Sequence, residues 1–195
     1  MTTNENNNPE KTLHDIEREE LNLLIRKGQK FAVRYTITKK EKRLLGLRSR
    51  TVEEEHAEAF ELKEPTLAVL DRLSAHWLEM TLDEKALEAG GAETLAEAKR
   101  ATADNTKRMA RVIAIAVLGE DYHIKTIERG TGRIRYSNDD KELDRLTDLF
   151  FHTIKPSELV ILCQCITNIA NLGDFIGSMR YMSGARTTQR TGRIE

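Results

Sequence analysis

The stretch Phe60-Glu61-Leu62-Lys63-Glu64-Pro65-Thr66-Leu67, running on into Leu70, Leu73 and Trp77, decides how this chain is read. Its first residues are extended in character and stop at a proline. Pro65 suits the first position of a helix, where its missing N–H leaves no hydrogen bond unmade. Glu64 sets an acid against the positive end of the helix dipole. Leu67, Leu70, Ser74 and Trp77 then recur at spacings of three and four, which predicts an amphipathic helix reaching about Met80.

Working outward from that stretch, Phe31, Val33, Tyr35 and Ile37 alternate with Ala32, Arg34, Thr36 and Thr38. Period two with β-branched and aromatic residues predicts a strand over 31–38. Residues 59–62 are its candidate partner, since a lone strand leaves its backbone groups unpaired. Between the two lies a segment, 39–58, read as a charged connector. Residues 39–50 hold six basic side chains against Glu41 alone, and 53–64 hold six acids against Lys63 alone. This segregation suits a solvated, mobile connector whose halves attract each other. It also suits an arm that docks a partner or a neighbouring subunit. A nucleic-acid arm fits less well, because the acids that follow would repel phosphates.

Downstream, Asp83-Glu84 opens helical sequence that breaks at Gly90-Gly91. A long helix is expected over 93–118, with Leu95, Ala98, Thr102, Met109, Val112, Ile113, Ala116 and Val117 as its buried stripe. Residues 109–118 are apolar nearly all round, the mark of a central core helix, and Gly119 is its stop. The glycines of Glu128-Arg129-Gly130-Thr131-Gly132-Arg133 predict a small hairpin or an irregular loop over 123–136. They are no phosphate cradle, since no Lys-Ser/Thr follows them. Three helices close the chain. Leu143, Leu146 and Phe150 mark the first. Leu159, Leu162, Cys163, Ile166 and Ile169, after Pro156, mark the second, and Leu172, Phe175, Ile176 and Met179 the third. Short connections predict that these helices pack as antiparallel neighbours.

The chain of 195 residues is thus expected to be mainly α, a multi-helix bundle with a small N-terminal β element. It divides into a disordered, Asn-rich tail at 1–10, a single domain at 11–184 and a flexible, arginine-bearing tail at 185–195. Leu13, Ile16, Leu23 and Leu24 predict a first short helix that ends near Gly28. With 39% hydrophobic and 32% charged residues, the composition suits a soluble helical protein. A net charge of −1 gives no overall pull toward nucleic acid or membrane. The apolar run 159–170 is shorter than the ~20 residues of a bilayer span. With no secretory signal at the N-terminus, a cytoplasmic protein that does not enter a membrane is expected.

No residue constellation points to a reaction. His14, His56, His76, His123 and His152 fall in no zinc pattern, and there is no nucleophile elbow and no P-loop. Cys163 and Cys165, two apart on a helix, point to different faces and read as core thiols in a reducing compartment. Neither a catalytic residue, a cofactor nor a metal is expected. The feature that invites a binding role is Phe175-Ile176-Gly177-Ser178-Met179-Arg180-Tyr181-Met182, leading into the tail with Arg186. Methionines make adaptable apolar contacts, and arginine and tyrosine are frequent interface anchors. Phe175, Met179, Arg180, Tyr181, Met182 and Arg186 are therefore the candidate partner-binding residues. The rival reading is that Phe175, Ile176 and Met179 simply pack on the preceding helix.

The opening stretch with Leu70 and Trp77, the helix over 109–119 and the closing Asp174-Phe175-Ile176-Gly177-Ser178-Met179-Arg180 together resemble the small tail assembly chaperones of long-tailed phages and prophages, especially Bacteroidetes-type prophages. The resemblance spans about residues 30–190, and the charged segment carries none of it. It implies a non-enzymatic protein of the host bacterial cytoplasm that binds the helical tape-measure protein, and also itself, before tail-tube subunits assemble. A structural virion or adaptor protein is the second expectation. A nucleic-acid-binding module using 39–50 and the arginine tail is the third.

Overall fold

The computed structural model describes residues 28–42 and 49–184, with side chains at 28–39 and 51–184. The expected helix ending near Gly28, both tails and Arg186 lie outside the described residues. Strand β1 (Gln29–Lys42) pairs antiparallel with β2 (Ser49–Leu62) in a two-stranded ribbon, in register from Gln29↔Leu62 to Lys42↔Ser49. Both strands are longer than the 31–38 and 59–62 expected. The segment 39–58 is therefore corrected from a connector to strand on either side of residues 43–48. Ladder hydrogen bonds need no apolar alternation, and opposite charges facing across the ribbon support the pairing. Lys39 Nζ reaches Glu54 Oε2 at 2.5 Å.

Only the base of the ribbon enters the core. Phe31, Phe60 and Phe150 meet there, with ring centroids 5.0–6.0 Å apart and Phe60 edge-on to Phe150. The ribbon is pinned to the helices by charge. Tyr35 donates to Glu58 at 2.6 Å, and Arg145 bridges Glu58 at 3.3 Å and Glu142 at 2.8 Å. The Tyr35 bond and then the Arg145 guanidinium hold the Glu58 carboxyl below its ordinary pKa.

Helix α1 (Leu67–Leu78) starts after Thr66, whose carbonyl accepts from Leu70 N–H at 2.9 Å. Pro65 thus precedes the cap instead of opening the helix. The buried face is Val69, Leu70 and Leu73, with Trp77 half-buried against the core. Leu67, placed on the stripe by spacing, is 73% exposed. The short α2 (Glu84–Glu88) leads to α3 (Gly91–Leu118). As expected, the second half of α3 is the core: Val112, Ile113, Ala114, Ile115 and Ala116 are all buried, and Gly119 ends the helix at φ 51°. In its first half Leu95, Ala98 and Thr102 are exposed, and the buried residue is Glu97.

A 3-10 turn (Gly119–Tyr122) buries Tyr122 completely, its hydroxyl bonded to Arg72 at 2.9 Å and Asp140 at 3.0 Å. The glycine segment is a hairpin, β3 (His123–Ile127) with β4 (Ile134–Asn138). Helix α4 (Asp140–Thr153) buries Leu143, Leu146, Thr147 and Phe150 and packs most extensively on α3. Helix α5 (Pro156–Ile169) buries Leu162, Ile166 and Ile169. The architecture is mainly α with two small antiparallel sheets. The last helix, α6 (Leu172–Gly184), buries no residue. It departs from the expected antiparallel packing where Asn171, the one non-glycine residue at positive φ (48°) among the described residues, interrupts the chain at the end of α5.

Candidate partner-binding surface

The surface is built from the α5–α6 junction. Helix α5 ends where Ala170 N–H reaches Ile166 O at 2.9 Å and Asn171 N–H reaches Asn168 O at 3.3 Å. The Asn171 side-chain amide then donates to Asp174 Oδ2 in the first turn of the next helix at 3.0 Å, and it lies 3.5 Å from Glu64 Oε1. The start of α6 therefore lies beside the residue that precedes Pro65, and every residue of the helix is more than a third exposed.

With 3.6 residues per turn, Leu172, Phe175, Ile176, Met179 and Met182 share one side of α6. Each is more than a third exposed, Met182 at 73%. Arg180 flanks this stripe next to Ile176. Tyr181, 82% exposed, lies on the opposite side of the helix, so the structure separates it from the other candidate residues. Gly177 and Ser178 break up the helix's polar flank with small side chains. Phe175, Ile176 and Met179, which the rival reading packs on the preceding helix, are 39%, 43% and 53% exposed, so none of them is a buried contact. On α5, Val160 and Ile161 are also exposed, 59% and 62%, and Ile161 lines the hollow beside β1. The two thiols are free and half-buried, and burial raises the pKa of both.

Taken end to end, Pro156–Gly184 is long and apolar enough to cross a bilayer by length and composition, with a mean hydropathy of 1.6 over its most apolar window. The apolar run 159–170 is one part of this longer stretch. The same residues are interrupted by left-handed Asn171, and Leu162, Ile166 and Ile169 are committed to the core of the protein. Helix α5 thus turns one face to the core, and α6 continues it with no buried residue.

Among the described residues no three His, Cys, Asp or Glu side chains gather where a metal ion could be held. The most perturbed carboxyl is Glu97, whose pKa is lowered to about 2. The cause is first the Arg100 guanidinium, bonded to it at 2.6 and 2.7 Å, and then the Asp83 N–H at 2.9 Å. Its partners tie α2 to α3, which explains the shift structurally. Comparison with known proteins finds no matching family model, no matching curated protein and no matching solved structure.

Proposed function

We propose that this protein is a non-enzymatic phage tail assembly chaperone that lays the apolar side of α6 against a helical stretch of the tape-measure protein. The observation that carries the reading is that α6 has five large apolar residues on one side and none of them buried. A helix of this length is marginal alone in water, since isolated helices shorter than ~12–15 residues gain too little to offset their nucleation cost. Covering its stripe is the natural remedy, and an apolar helical partner supplies the complementary groove or ridge. A free tape measure with bare apolar stripes would aggregate, so both partners gain from the contact. The specific partner rests on the resemblance of the 60–67, 109–119 and 174–180 segments. The general need for a partner rests on α6.

Co-expression with the tape-measure protein of the same phage or prophage, followed by affinity capture, tests this. The expected result is a soluble complex that the double substitution Phe175→Glu with Met179→Glu abolishes, while the melting temperature of the free protein stays the same. No complex, or no gain in tape-measure solubility, rejects the reading. Detection of the protein in finished particles by mass spectrometry would favour a structural virion component instead.

A further inference from the structure

Among the described residues one edge of β1 has no pairing strand, and that edge faces a groove of about 540 Å³. The groove is lined by Phe31, Ala32, Val33 and Arg34 in unbroken succession. Successive residues of a strand point to opposite faces, so a groove that touches all four lies along the strand's edge, where the backbone N–H and C=O groups point. It continues past Arg34, Tyr35 and Thr36. The facing wall is the α4–α5 corner, with Ile154, Ile161 and Leu162 supplying apolar contacts. Among the described residues β1 pairs only with β2.

The charge on the rim selects among occupants. Glu158 is the acid of the groove, and its carboxylate is committed to the start of α5, accepting Lys155 N–H at 2.9 Å. Further along, Asp148 lies 3.9 Å from Lys107, and its carbonyl is 2.7 Å from His152 Nδ1. Among the described residues Arg34 and Lys155 have no acid within ion-pair distance. The groove thus sets two cations, Arg34 and Lys155, against the single acid Glu158, a net positive charge over an apolar wall and a strand edge.

We infer that the edge of β1 accepts an extended, acidic segment of a partner polypeptide as a third strand of the ribbon. Main-chain hydrogen bonds along 31–36 supply affinity, alternate apolar side chains settle against Ile154, Ile161 and Leu162, and acids meet Arg34 and Lys155. Two copies of this chain joined edge to edge through β1 would bring together two segments, 29–39, that carry Lys30, Arg34 and Lys39 and no acid, which disfavours that occupant. The inference is independent of what α6 binds, because it concerns an extended segment and a different face.

The probe is a short labelled peptide alternating valine and glutamate, titrated into the full-length protein and followed by anisotropy and by amide shifts of residues 31–36. Saturable binding is expected. Arg34→Glu with Lys155→Glu, and separately Ile161→Glu, should each weaken it at least ten-fold without lowering the melting temperature. A valine–lysine peptide should bind at least ten-fold more weakly, and N-methylation of alternate peptide amides should abolish binding. The α6 double variant should bind the peptide like the wild type, which separates this site from the chaperone surface. Equal binding of the lysine or N-methylated peptide, shifts located on α6, or no binding at all would overturn the inference.

Discussion

Glu97 shows how one side chain can fasten an element that has little core of its own. Helix α2 buries nothing and is held to α3 by polar bonds: Glu97 to Asp83 N–H, and Thr94 Oγ1 to Ala86 O at 3.1 Å. Its carboxyl titrates near 2 in the fold and near 4.5 when free, so the unfolded chain takes up the proton first as pH falls. The stability Glu97 contributes is thus full above about pH 4.5 and is lost as pH drops toward 2. Thermal melts should show Glu97→Gln less stable than wild type at neutral pH, with the gap closing across that window. Gly28 is a second point of leverage. It sits at φ 68°, and an added Cβ would come within 2.7 Å of the Leu62 carbonyl oxygen. Gly28→Ala should cost at least about 1–2 kcal/mol in denaturant unfolding, the scale of a left-handed residue with a side chain. Neither role is visible in the sequence. Glu97 reads as one more surface acid, and Gly28 as an ordinary helix stop.

The elements differ in how far their pattern announces their packing. The α4 stripe of Leu143, Leu146 and Phe150 is the buried one, because α4 lies flat on α3 and its apolar side has one direction to face. In α1 the same reasoning selects Leu67, which the structure leaves in solvent, and omits Val69, which is fully buried. The exit of β2 at Leu62 sets how α1 is rotated, and spacing alone does not carry that angle. Substitution should reveal the difference. Phe150→Ala empties the aromatic contact with Phe31 and Phe60 and should cost about 3–5 kcal/mol. Leu67→Ala should stay within about 0.5 kcal/mol, both measured by urea denaturation. The ribbon was legible only at its base, where alternation reports a buried face. Its charged remainder forms strands through backbone pairing, which leaves no apolar signature.

Across the whole molecule, stability should be graded from the α3–α4 core outward. Amide exchange should be slowest over 110–116 and 143–150, near the rate set by global unfolding. It should be fastest in α6 and in the outer ribbon, and a bound partner on α6 should slow exchange there selectively. Uniformly slow exchange through α6 in the free protein would count against an uncovered helix. The candidate surface was half legible. Phe175, Met179 and Met182 stand out as apolar residues at helical spacing, whereas Tyr181 falls on the opposite side of the helix. The β1 groove was not legible at all, since its walls, 31–36 and 148–162, lie far apart along the chain. Local periodicity in these 195 residues was enough to establish a mainly helical chain and its core helix at 109–118, and to narrow the glycine segment to a hairpin or a loop, because each depends on neighbours within a few positions. Which apolar stripes are covered and which stay bare, and where a strand edge meets a helical corner, depends on rotations and approaches between distant segments. Only the folded arrangement sets those.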